Sequence, residues 1–188
     1  MQRRQFLTAA AGLAAWAAAE AAPAAGASPR AEDDVRAARA WNASRRHQAT
    51  RFGDIAYVER GTGPVALFLH GFPLNGFQWR GAFDRLSGQR RCIAPDSMGL
   101  GFTRVAAGQG VTPSNQADML AAFLDKLGIA SVDLVANDSG GAVAQIFVTR
   151  FPDRVSTLLL TNCDVEPDSP PPALQPVLAL ARQGTYPD

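Results

Sequence analysis

Residues 132–141 read VDLVANDSGG. The first five are a short, mostly apolar run of the kind that forms a buried strand. The small polar cluster Asn137-Asp138-Ser139-Gly140 then signals a sharp turn. Residues 141–151 carry apolar positions at helical spacing and stop before Pro152. The stretch therefore predicts strand, tight turn and helix, with two chemically capable side chains, Asp138 and Ser139, at the turn. Working outward, residues 65–69 (VALFL) form a continuous apolar run, as expected of a strand buried on both faces. Residues 91–94 predict a strand ending at Pro95-Asp96, and residues 155–161 (VSTLLLT) predict one more buried strand. Residues 49–59 predict two short strands around a Gly53-Asp54 turn. Helices are expected over residues 76–86, with Phe77, Trp79, Phe83 and Leu86, and over residues 114–127, stopped by Gly128. The alternation implies the α/β class: a mostly parallel sheet with helices on both faces.

Composition narrows the functional classes. The 188 residues are 47% hydrophobic and 19% charged, which suits a globular chain. Eighteen basic against 17 acidic residues give a net charge of +1, which excludes a strongly basic nucleic-acid footprint. Two cysteines supply neither a disulfide framework nor a four-cysteine zinc site. Cys92 starts one strand and Cys163 follows another, so the sheet should hold them apart. Gly61-Thr62-Gly63 lacks the strand-before, helix-after setting of a nucleotide loop. No cofactor and no metal are expected. The histidines are His47, read as a solvated surface residue among Arg45, Arg46 and Gln48, and His70.

The N-terminus, MQRRQFLTAAAGLAAWAAAEAAPAAGAS, reads as an address. Residues 6–19 are uncharged and Ala-rich, and shorter than the roughly 20 residues a membrane span needs. Ala25 and Ala27 precede a plausible cleavage before Ser28, with Ala17 and Ala19 as a second option. Arg3-Arg4 followed by Gln5-Phe6-Leu7 resembles a twin-arginine export signal. An ordinary Sec signal or an uncleaved anchor is the alternative. The expected location is periplasmic or secreted, with no stable membrane anchor after cleavage. The expected organisation is a signal at 1–27, an N-terminal extension at 28–48, a core at 49–166, and the start of a cap at 167–188.

Ligands of such sheets sit at the carboxyl ends of the strands. Three turns fall there: His70-Gly71-Phe72-Pro73, Asp96-Ser97-Met98-Gly99-Leu100-Gly101, and Ala136-Asn137-Asp138-Ser139-Gly140-Gly141. Together and in this order they resemble the α/β-hydrolase superfamily, over roughly residues 50–163. The third turn is then the nucleophile elbow, which needs small residues on either side of the nucleophile. With Asp138 at the nucleophile position, Ala136 and Gly140 fill the small positions. The shifted register makes Ser139 the nucleophile and puts the larger Asn137 at a small position. The steric argument favours Asp138.

An aspartate there changes the chemistry, because a carboxylate is already ionised at neutral pH and needs no base to activate it. The resemblance is therefore to the haloalkane dehalogenase and epoxide hydrolase branch, which works through a covalent ester on a small organic substrate. It implies backbone oxyanion donors at Ser139 and Phe72, structural roles for His70, Gly71, Gly140 and Asp96, and a histidine that hydrolyses the ester. A Ser139 esterase and a non-catalytic binding member of the fold are the alternatives. Ser139 and Phe72 stand where dehalogenases carry Trp and Asn as halide donors, which weakens the halide reading. His70 to Pro73 matches the His-Gly-x-Pro of epoxide hydrolases, though the Trp they often carry after the aspartate is absent. Asn162 falls where some members place the histidine's partner acid. Asp164 is a nearby carboxylate that could orient a histidine. Members of the superfamily place the catalytic histidine late, so the chain is expected to be an incomplete hydrolase, inactive in multiple turnover by itself. The expected partner is a small-molecule substrate, with no nucleic acid.

Overall fold

Strand β3 (Val65–Leu69) alternates its side chains between two cores, because successive residues of a strand point to opposite faces. Leu67 and Leu69 join one apolar cluster, while Ala66 and Phe68 join another. Neighbouring strands split the same way: Ile55, Tyr57, Ile93 and Leu134 face the first cluster, and Val58, Cys92 and Ala94 face the second. A sheet apolar on both faces must be covered on both. The computed structural model describes residues 29–163, 172 and 175–183, and shows this arrangement.

The elements run as follows: α1 (Pro29–Ala43), β1 (Arg46–Thr50), β2 (Gly53–Arg60), β3, a 3-10 turn (Gly76–Trp79), α2 (Arg80–Leu86), β4 (Arg91–Pro95), α3 (Pro113–Lys126), β5 (Val132–Asp138), α4 (Ser139–Arg150), a 3-10 turn (Pro152–Arg154), β6 (Val155–Cys163) and α5 (Gln175–Arg182). The strand order is β1-β2-β4-β3-β5-β6. β4, β3, β5 and β6 pair in parallel, and β1 and β2 add an antiparallel edge. Ala117, Leu120 and Leu124 of α3, and Val143, Ala144 and Phe147 of α4, cover the first face. Phe83 of α2 covers the second, with Trp41, Phe77 and Trp79. Because β3 lies between β4 and β5, the chain leaves β3 in one direction and later returns on its other side. The loops after β3 and β5 therefore meet at a crevice at the carboxyl end of the sheet.

The chain divides into two compact units, residues 1–39 and 40–188. The expected signal lies outside the described residues, as do Asp164 and most of the expected cap start. No helix among the described residues is long and apolar enough to cross a membrane. Several details differ from the sequence reading. The sheet starts at Arg46, inside the stretch read as an extension, and Trp41 is a 2%-exposed core residue. The β1–β2 turn is Arg51-Phe52, with Gly53 already paired to Thr50. The helix expected over residues 76–86 starts as a 3-10 turn. β6 is not a buried strand. Leu158, Leu159 and Leu160 are 39%, 55% and 37% exposed, because among the described strands only β5 pairs with it. Its composition matches a buried strand, but burial depends on neighbours that composition does not supply. His47 is exposed and pairs with Asp54 at 3.1 Å. Cys92 and Cys163 are not bridged to each other, and burial pushes the Cys92 thiol pKa up.

Leu134 is fully buried in β5 and Leu159 is largely exposed in β6. Leu134→Ala should therefore cost about 2–5 kcal/mol in urea unfolding, and Leu159→Ser should change stability by under about 0.5 kcal/mol. A comparable loss at both positions would contradict the exposure of Leu159 in this chain.

Candidate active site

The crevice is built from the elbow upward. β5 runs two residues further than its apolar stretch and ends at Asp138, and α4 starts at the next residue. Asp138 takes φ 54°, ψ −132°, a conformation that residues with a side chain rarely adopt. The strained residue of the turn is thus Asp138, with Ala136 and Gly140 two residues to either side. Ser139 is the first residue of the helix. Gly140 is required by the close approach of two backbones: a Cβ there would lie 2.6 Å from the His70 carbonyl oxygen and 2.8 Å from that of Leu69. Gly71 is required in the same way, since its Cβ would lie 2.6 Å from Asp138 Cβ and 2.8 Å from Oδ1.

Two backbone N–H groups converge on one oxygen. Phe72 N–H donates to Asp138 Oδ1 at 3.0 Å, and Ser139 N–H donates to the same atom at 2.6 Å. These are the two groups that the sequence names as oxyanion donors. Oδ1 is thereby held from two directions. Phe72 and Leu74, in the turn after β3, are 60% and 48% exposed. The Phe72–Pro73 peptide is cis.

His70 lies beneath, 1% exposed. Its Nδ1 sits 2.9 Å from the Gly71 carbonyl oxygen, which can only accept, so Nδ1 carries the proton. Its Nε2 accepts from Ser97 N–H at 3.0 Å. Both nitrogens of the neutral ring are engaged, and burial lowers its pKa against smaller opposing effects from Gly71 and Asp96. Asp96, 2% exposed, accepts from Gly76 N–H at 2.8 Å and Phe102 N–H at 2.9 Å. Arg45 Nε stands 3.8 Å from Asp96, and its guanidinium lies 3.5 Å from the Phe102 ring centroid. Buried Gln116 clamps the same loop, accepting from Met98 N–H and donating to Met98 O, each at 2.9 Å.

The structure therefore gathers Asp138, Ser139, Phe72, Gly71 and Gly140 at one point, with His70 and Asp96 in the layer below. Asn162, at φ 46°, stands beside the register shift that pairs Asp138 with Cys163. Sequence reasoning missed Arg45, Gln78 and Gln116, and weighed Asn137 only for its bulk. For Gln78 the one available signal was an amide between Phe77 and Trp79.

His70 sets the pH response of folding. Its folded pKa lies below the ordinary value, so the unfolded chain binds the extra proton more readily. The stability it contributes is present above about pH 6.5 and is lost as pH falls toward the folded pKa. The melting temperature should therefore drop between about pH 7.5 and 5.5, a window in which ordinary carboxylates stay ionised. His70→Gln should flatten that slope, and a flat profile for the parent would contradict the buried neutral ring.

A family model for the alpha/beta hydrolase fold matches residues 64–187. The chain is 34% identical over 110 residues to haloalkane dehalogenase 2 of Mycobacterium tuberculosis, covering 58% of this chain and 38% of that protein. It is 39% identical over 112 residues to epoxide hydrolase 3 of Siraitia grosvenorii, covering 58% of this chain and 35% of that protein. A solved thermophilic esterase from Thermogutta terrifontis superposes with a TM-score of 0.65 at 31% identity, covering 74% of this chain and 52% of that one. The chain thus spans less than two fifths of the length of these two curated relatives. With the matched model covering most of the sheet and both arms of the crevice, the chain belongs to the alpha/beta hydrolase fold family, on the side that resembles haloalkane dehalogenases and epoxide hydrolases.

Proposed function

We propose that Asp138 is the nucleophile of a hydrolase that forms a covalent ester on a small apolar epoxide or related electrophile. The observation that carries this reading is the pair of backbone N–H groups on Asp138 Oδ1. They fix the orientation of the carboxylate through Oδ1, and in this reading Oδ2 is the oxygen that attacks. Oδ2 attacks a ring carbon of the epoxide, and that carbon–oxygen bond breaks with its electron pair staying on oxygen. The resulting alkoxide takes a proton from water. Hydrolysis then needs water to add to Asp138 Cγ, where the Phe72 and Ser139 N–H groups stabilise the charge on Oδ1. That step calls for a general base, and His70, buried with both nitrogens engaged, is a poor one. We infer that residues outside this sequence supply the histidine in the whole protein, in keeping with the greater length of its relatives. Export by the twin-arginine signal belongs to the same reading.

Epoxides fit better than halides, since Ser139 and Phe72 bring no side-chain N–H to a departing halide. A Ser139 esterase is the second reading, favoured by the likeness to a solved esterase. It places the larger Asn137 at a small position of the elbow, and it needs a base for Ser139 that His70, with both nitrogens engaged, does not provide.

The deciding experiment is intact mass and peptide mapping after incubation with styrene oxide. The chain should gain the whole mass of the epoxide, mapped to Asp138, and retain it. Asp138→Asn should gain nothing. An unlabelled parent, or labelling of Ser139 by a fluorophosphonate, would defeat the aspartate reading. Sustained turnover by this chain that Asp138→Ala abolishes would defeat the inference of a histidine from outside it.

A further inference from the structure

A relay of side-chain amides ties the turn after β3 to the end of β6. Gly71 N–H donates to Gln78 Oε1 at 3.0 Å. Gln78 Nε2 donates to Asn137 Oδ1 at 2.6 Å. Asn137 Nδ2 donates to the Thr161 carbonyl at 2.8 Å and reaches Thr161 Oγ1 at 3.2 Å. Each amide is used at both ends. Because Gly71 N–H can only donate and the Thr161 carbonyl can only accept, one orientation of both amides satisfies the whole relay.

The turn has few other ways to hold its angle. Gly71 has no side chain, and cannot have one against Asp138. Phe72 and Leu74 are largely exposed, so packing does not fix them. The carbonyl side of Gly71 is held by Leu74 N–H and by His70, both at 2.9 Å. Its N–H side is held by Gln78. The next N–H along the chain is that of Phe72, which meets Asp138 Oδ1.

We propose that Gln78 is a positioning residue: anchored on Asn137 and Thr161, it aims the Phe72 N–H at Asp138 Oδ1. Its consequence for chemistry rests on the reading of Asp138 as nucleophile, and its geometric part does not. Gln78 touches no reacting atom and acts through the Gly71-Phe72 peptide.

The test uses the full chain and Gln78→Met, which keeps the length and removes both hydrogen bonds. Amide hydrogen exchange by NMR should speed up about tenfold at Phe72, the size expected for one lost hydrogen bond. Exchange at Ser139, Phe123 and Leu134 should stay as in the parent. Unchanged protection at Phe72 overturns the proposal. So does a uniform loss that includes the core amides, since that marks a merely structural role. If Gln78→Met does not fold, Asn137→Ala cuts the relay one link further out, and Phe72 should again speed up selectively. With styrene oxide, Gln78→Met should lower the saturating rate of Asp138 labelling about tenfold at an unchanged half-saturating concentration. A change in half-saturation alone, or an unchanged rate, overturns the positioning role in catalysis. A parent that never labels defeats the nucleophile reading instead, and the Phe72 exchange still decides whether Gln78 aims the turn.

Discussion

The backbone of Asp138 is held where L residues seldom go, at φ 54° and ψ −132°. A residue so placed costs on the order of 1–3 kcal/mol, and persists only where its surroundings over-determine it. Here they do so from three directions. β5 is paired with β3 as far as Ala136 and with β6 as far as Asp138 itself, so the incoming chain cannot rotate. α4 begins at Ser139, and its first N–H groups need an acceptor that the Asp138 carboxylate provides. Gly140 lets the helix start press against the carbonyls of Leu69 and His70. Relaxing any of these would let the side chain turn away from the crevice.

That single constraint explains much of the neighbouring sequence. The turn after β3 must pass close to Asp138, hence Gly71, and must present an N–H there, hence an ordered peptide at Phe72. Order in a turn of exposed residues has to come from polar bonds, and these run in two layers. The upper one is the Gln78-Asn137-Thr161 relay. The lower one is His70 bonded to Ser97, with Asp96 holding Gly76 and Phe102. Asp96 is a buried carboxylate whose countercharge, Arg45, arrives from the segment before β1. Burial lowers the pKa of that guanidinium, and the charge of Asp96 opposes the shift.

What the sequence made legible was what local rules control. A run such as VALFL between turn signals can hardly be anything but an interior strand. Small residues flanking Asp138 single out the position whose backbone is strained. What stayed hidden depended on partners distant in the chain. Trp41 looked like part of a polar extension, yet packs on Phe77 and Phe83. Arg45 enters the sequence reading only as a neighbour of His47, yet its side chain is only 8% exposed beside Asp96. β6 shows the opposite case: its composition suits burial, and among the described strands only β5 lies beside it. Gln78 was passed over because its neighbours Phe77 and Trp79 account for the periodicity of that segment by themselves.

The histidine arrangement bears on the choice between Asp138 and Ser139. An imidazole can act as a general base only with a free lone pair facing the proton it takes. The Nε2 lone pair of His70 is occupied by Ser97 N–H, and its Nδ1 proton is directed to Gly71. The ring is therefore a fixed part of the scaffold, and protonating it would break the bond to Ser97. A serine hydroxyl at the elbow would need a base other than this ring before it could attack at all, because its nucleophilicity depends on losing a proton. A carboxylate has already lost its own. The proposed ester-forming step thus asks nothing of His70 beyond holding the turn, and only the later attack of water needs a base. In the proposed reading the two steps separate along the chain: the groups that form the bond are gathered between β3 and α4, and the group that releases it need not be among them.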